Sequence, residues 1–116
     1  MDQSSYIIET SDESFDADVL ERSKTTPVVL DFWAAWCQPC RLLAPLLEKL
    51  AVEFAGKFIL VKADTDQLPK QALALGVAGI PAVYALRHGA VIDSFTGLLT
   101  EGQLREWLTA VVANER

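Results

Sequence analysis

The chain is poor in several residues that would point to particular functions. It has two cysteines, one histidine and one methionine in 116 residues, and its ten basic side chains are outnumbered by sixteen acidic ones. A structural zinc site takes about four ligands. Cys37, Cys40 and a single His88 far along the chain do not assemble one, so no metal is expected. A disulfide-stapled secreted scaffold carries more cysteines at wider spacing. The net charge of −6 leaves nothing to neutralise phosphates, which excludes nucleic acid and anionic membrane as partners. No apolar run approaches the ~18 residues of a transmembrane helix. The opening Met1-Asp2-Gln3-Ser4-Ser5-Tyr6 has no basic region followed by an apolar stretch, so a signal peptide is not expected and a cytoplasmic location is. Repeats, low-complexity tracts and long linkers are absent. What remains is ordinary globular composition, 51% apolar, expected to form a single domain over 1–116. Such a chain buries roughly two-thirds of its unfolded surface without a staple.

Hydrophobic spacing divides the chain into alternating elements. Tyr6-Ile7-Ile8 reads as a short edge strand. Thr10-Ser11-Asp12-Glu13 is rich in helix-starting residues, and a helix to about Glu21 follows with Phe15 and Val19 inward. Val28 to Ala34 is nearly continuous in apolar residues, the pattern of a strand buried on both faces. Leu42, Leu43, Leu46, Leu47, Leu50, Ala51 and Phe54 then repeat at helical spacing, with Pro45 expected to kink the helix without ending it and Gly56 to stop it. Phe58 to Asp64 is a second apolar strand, and Gln67 to Leu75 a helix with Pro69 in its first turn. Pro81–Leu86 and Ala90–Phe95 form an antiparallel hairpin across Arg87-His88-Gly89. Thr100-Glu101-Gly102-Gln103 is a capping box for a last helix with Leu104, Trp107, Leu108 and Val111 on one face. Alternating strands and helices of this kind predict an α/β fold, a largely parallel central sheet flanked by helices.

Trp36-Cys37-Gln38-Pro39-Cys40 falls where the first long strand turns into the kinked helix. Unpaired N–H groups and the helix dipole put partial positive charge there. A thiolate at Cys37 is stabilised by that charge, which lowers its proton affinity. Residues three apart in a first turn share a face, within reach of a disulfide. Cys37 is expected to be exposed and Cys40 covered. The pair suits thiol–disulfide exchange: Cys37 attacks a substrate disulfide, and Cys40 then attacks Cys37 and releases the reduced product. The alternative, two inert core cysteines that happen to lie close, is disfavoured by the strand–turn–helix placement and the intervening proline.

Three further features accompany the motif. Asp31 is the only charge between Pro27 and Cys37, and Lys62 is a lone charge inside Phe58–Ala63. A buried carboxylate must be paired or carry a raised pKa. If the two strands are neighbours, Asp31 and Lys62 approach beneath the cysteines, and Asp31 accepts a proton, through a water, that makes Cys40 a nucleophile. Otherwise one or both project past the strand end into solvent. Gly79-Ile80-Pro81 is either a cis-proline turn, whose Ile80 backbone pairs with an extended substrate, or a strand-edge proline. Trp36 reads as a partly exposed wall beside Cys37, Trp33 and Trp107 as core, and His88 as solvated.

With these motifs in this order, Phe15 to Leu108 resembles the thioredoxin family. The resemblance rests on Asp31-Phe32-Trp33-Ala34-Ala35-Trp36-Cys37-Gln38-Pro39-Cys40, then Ala44-Pro45, Lys62, Ile80-Pro81 and Gly97. It implies a thioredoxin fold with a mixed sheet, a nucleophile at Cys37, a resolving Cys40, a redox-active disulfide between them, a buried Asp31 near Lys62 and a cis Pro81 facing the disulfide. It also implies an apolar docking surface of Trp36, Pro39, Gly79, Ile80 and Gly97 for protein disulfide substrates. No bound cofactor is implied; thioredoxin reductase recharges the dithiol, with NADPH as ultimate donor.

Four residues depart from the family pattern. Gln38 stands where glycine is usual and tunes the thiolate. Ala82 replaces a threonine, Leu98 a small alanine and Thr96 an apolar residue, which changes the makeup of the docking surface. Pro39 matches the reducing members. Val83 to Phe95 also resembles the thioredoxin domain of bacterial co-chaperones with a helical-repeat tail. The expected function is therefore a monomeric reductase of protein disulfides. The alternative is a client-binding or co-chaperone module, partnered by a chaperone, with secondary redox activity.

Overall fold

The computed structural model describes residues 3–114; the outermost two positions at each end of the expected 1–116 domain lie outside them. Its centre is strand β2 (Val28–Trp33), apolar at every position but Asp31 and buried along its first five residues. Such a strand can satisfy its backbone only between two others. It pairs parallel with β3 (Ile59–Asp64) and antiparallel with β4 (Ala82–Arg87). β1 (Ile7–Glu9) adds parallel to β3, and β5 (Ala90–Thr96) adds antiparallel to β4. The sheet order is β1-β3-β2-β4-β5. This is the mixed, helix-flanked sheet that the sequence implied, with the second strand of the chain at its middle.

Helix α1 (Gln38–Glu53) buries Leu43, Leu47, Leu50 and Ala51, and runs on through Pro45. The missing proline N–H removes one bond to the preceding turn, a loss that the buried leucine face outweighs. Ala55 and Gly56 then take positive φ values of 51° and 86° and end it. Helix α3 (Glu101–Ala113) opens with a reciprocal capping box between Thr100 and Gln103 and buries Leu104, Leu108 and Val111. Trp107 meets Phe95 of β5 edge to face at 4.9 Å between centroids. Among the described residues no helix is long and apolar enough to cross a membrane.

Two boundaries differ from expectation. The segment after Thr10 begins with reciprocal Ser11–Ser14 hydrogen bonds, then forms a π-helical turn (Asp16–Glu21) and a 3-10 turn (Arg22–Lys24) instead of one regular helix. The buried Ser23 explains the tight finish. Its hydroxyl donates to the Leu20 carbonyl at 2.7 Å and accepts the Gly89 N–H at 2.8 Å, and its carbonyl accepts the His88 N–H. The turn is thereby tied to the β4–β5 hairpin. Helix α2 covers only Pro69–Ala74, because the N–H groups of Gln67 and Leu68 both turn back to the Asp64 carbonyl. Phe15 and Val19 are buried as expected.

Candidate active site

β2 ends at Trp33, and a short turn delivers Cys37 as the N-cap of α1 in extended conformation. The Cys37 N–H donates to the Ala34 carbonyl at 3.1 Å, and the Arg41 guanidinium braces the turn on the Ala35 carbonyl at 2.7 Å. Pro39 lies in the first helical turn, where a missing N–H costs nothing. Cys37 and Cys40 form a disulfide with their Cα atoms 5.3 Å apart. The Cys40 N–H points at Cys37 Sγ, 3.2 Å away.

The expected exposure of Cys37 needs correction. Cys37 is 4% exposed and Cys40 1%. Ala34, Trp33 and Ile80 pack around the disulfide-bonded pair. The residue is covered rather than standing at an open loop tip.

The Ile80–Pro81 peptide bond is cis. It presents the Ile80 carbonyl to Cys37 Sγ at 3.8 Å, a contact in the disulfide form. The carbonyl of the buried Pro81 accepts the Gly97 N–H at 2.9 Å, which brings the loop after β5 to the same rim. Trp36 is 69% exposed, and its indole N–H donates to Asp66 Oδ2 at 3.2 Å. Trp36, Ala72, Val77, Gly79 and Ile80 line a groove of about 330 Å³ beside the disulfide. Pro39, exposed, and Gly97, half-buried, do not line it. Leu98 is 47% exposed and opens a second, leucine-lined groove with Leu42, Leu46 and Leu99. Trp33 and Trp107 are half-buried against the core, and His88 is exposed in the hairpin turn.

Asp31 is 1% exposed, and its Oδ1 has no hydrogen-bond partner among the described residues. Burial pushes its pKa up to about 7; the Lys62 charge opposes that rise and the Glu48 charge adds to it. Asp31 and Lys62 are register partners on β2 and β3, as neighbouring strands require. The Lys62 charge acts on Asp31 as this proximity implies, but through space and not through a contact. The Lys62 ammonium lies 3.2 Å from Glu48 Oε2 of α1 and 5.4 Å from the Trp33 ring centroid, and makes no ion pair with Asp31. The Glu48 carboxylate is partly exposed, so pairing Lys62 with it costs less desolvation than pairing it with the buried Asp31. Glu48 and Asp66 escaped the sequence reading. The signal for Glu48 was the solitary Lys62 itself, a strand cation in want of a carboxylate.

Among the described residues no cluster of three His, Cys, Asp or Glu side chains is placed to hold a metal. What the arrangement offers chemically is a disulfide at a helix start, a buried carboxyl group on the strand that leads to it and an apolar groove at its side.

The sequence is similar to known proteins. The Thioredoxin family model matches residues 6–110. Thioredoxin C-2 of Corynebacterium nephridii is 39% identical over 105 residues, covering 90% of this chain and 95% of that protein. The thioredoxin of Acidithiobacillus ferridurans is 38% identical over 105 residues with the same coverage. Thioredoxin 2 of Chlorobaculum tepidum is 36% identical over 100 residues, covering 86% and 90%. With a cysteine pair at disulfide distance at the start of α1, in a mixed sheet of this order, the chain belongs to the thioredoxin family and is a thiol–disulfide oxidoreductase.

Proposed function

We propose that the chain reduces protein disulfides, with Cys37 as nucleophile and Cys40 as resolving thiol. The observation that carries this reading is the position of Cys37 Sγ at the N-cap of α1, on the Cys40 N–H. A donor there stabilises a thiolate more than a thiol. The Cys37 thiolate attacks one sulfur of the substrate disulfide; the other leaves as a thiolate and takes a proton from water. Asp31 then accepts the Cys40 S–H proton. The Cys40 thiolate attacks Cys37 Sγ, the intramolecular disulfide forms, and the second substrate sulfur leaves. Two electrons pass from the dithiol to the substrate.

Lys62 tunes Asp31 in this scheme. Trp36, Pro39, Gly79, Ile80, Pro81 and Gly97 form the docking surface, with the groove beside Trp36 receiving apolar substrate side chains. An extended substrate pairs with the Ile80 backbone. Recharging requires an outside dithiol donor, a thioredoxin reductase drawing on NADPH. A protein that must be kept reduced works where thiols are kept reduced, which favours the cytoplasm. Leu43, Leu47 and Leu50 of α1 and Leu104, Leu108 and Val111 of α3 are buried within the chain, which favours a monomer. The alternative, a client-binding module with secondary redox activity, is not favoured, since homology and the cysteine pair both support redox chemistry.

The test is reduction of a protein disulfide substrate by the pre-reduced chain and by Cys37→Ser. The parent should turn over with a reductant in excess and Cys37→Ser should not; equal slow rates for both would end the reading. Cys40→Ser should stall at the mixed disulfide and trap its substrates.

A further inference from the structure

We propose that Glu48 is a positioning residue of this reaction: by holding the Lys62 ammonium on its own carboxylate, it keeps that cation off Asp31 and leaves Asp31 able to take up the Cys40 proton. The proposal rests on the reading of Asp31 as proton acceptor.

Lys62 and Asp31 face each other in register across β3 and β2. Neighbouring strands lie about 4.8 Å apart, well within the span of a lysine side chain. The ammonium goes elsewhere, to Glu48 Oε2 at 3.2 Å and over the Trp33 ring. The Lys62 side chain is 20% exposed and that of Glu48 39%, so water screens the pair less than a pair on the open surface. Among the described residues, none of the other groups around the pair holds Lys62 in an ion pair. β4 presents Val83 opposite Asp31, without charge. Glu9 and Asp64 line the cavity around Lys62, but neither forms an ion pair with it, and Asp64 accepts the Asp66 N–H. Cys40 is contributed by α1, the same helix as Glu48.

The arrangement matters because of what the other pairing would do. An ammonium seated on Asp31 would hold it ionised far below neutral pH and make it a poor proton acceptor. A base works best with a pKa near the working pH. Glu48 acts in two ways toward that end, through its own negative charge and through its hold on Lys62, and the second is the testable part.

Isotope-edited NMR of the Asp31 carboxyl group, titrated in the oxidised protein without substrate, separates them. In Glu48→Gln the Asp31 midpoint should fall by about 1–3 pH units as Lys62 turns to it. Glu48→Asp should keep it near that of the parent. In a Lys62→Met background, Glu48→Gln should lower the midpoint much less. An unchanged or raised midpoint in Glu48→Gln would overturn the proposal, and so would a drop of equal size with and without Lys62. None of these measurements uses turnover. A failure here leaves disulfide reduction by Cys37 standing, and a failure of that reading appears only in the Cys37→Ser assay.

Discussion

Cys37 Sγ accepts the backbone N–H of Cys40 at 3.2 Å, so the sulfur does the work of an N-cap side chain. Serine, threonine and aspartate oxygens usually fill that place. A thiolate is a better acceptor than a thiol, so reduction leaves Cys37 in a setting that favours ionisation. The expected outcome is that iodoacetamide modifies Cys37 of the reduced protein at a pH below that needed for an ordinary cysteine. A rate profile across pH, read by mass spectrometry, checks this; an ordinary thiol midpoint would remove the basis for its nucleophilic role.

Asp31 makes stability depend on pH, with a definite sign. Its pKa is raised to about 7 from 3.8, so between those values the folded chain holds a proton that the unfolded chain has released. Stability therefore falls as pH rises through that window and is level above it. The full loss is on the order of 4 kcal/mol. Asp31→Asn, neutral throughout, should flatten the profile and be more stable than the parent at alkaline pH. Urea unfolding of the oxidised protein at pH about 5 and about 8 measures both effects.

Asp66 fixes Trp36 from thirty residues away in sequence. The bond is solvent-exposed, at the low end of the roughly 0.5–1.5 kcal/mol of a net hydrogen bond. Asp66→Ala should free the indole and raise KM for a protein disulfide by about 2–5-fold, with kcat kept. Asp66→Asn, which retains an acceptor oxygen, should restore most of it. An unchanged KM in Asp66→Ala would show that substrates do not depend on a held Trp36.

Two glycines separate backbone strain from crowding. Gly56 and Gly76 both have positive φ, 86° and 70°. A Cβ at Gly56 would stand 3.0 Å from the Tyr6 ring, whereas one at Gly76 would meet nothing within 4 Å. Gly76→Ala should cost about 1 kcal/mol, the left-handed penalty alone. Gly56→Ala should cost measurably more by denaturant melt, and both should keep disulfide reduction.

Most of this fold was legible because its signals are local. The Val28–Trp33 run, the leucine spacing of α1 and the Thr100–Gln103 box each carry their own physics within a few residues. The cysteine motif was legible for the same reason, since a strand, a turn and a helix start follow one another without interruption. Three things were not. The partner of Lys62 lies on another element, and Glu48 meets it only once α1 is laid on the sheet. The burial of Cys37 depends on Ile80, forty-three residues on. The π-helical and 3-10 turns before β2 answer to Ser23, whose bonds to His88 and Gly89 close only when the hairpin arrives. Each is a tertiary contact overriding a local preference.

The strand that ends at the cysteines is hydrogen-bonded along both edges, parallel on one side and antiparallel on the other. A ladder on each side, a protection it shares with β3 and β4, holds it in the stiff middle of the sheet, so electron exchange beyond its end has little slack to draw on. In the disulfide form the sulfur beyond that strand is covered, so any segment docking there has to extend and reach inward to meet it.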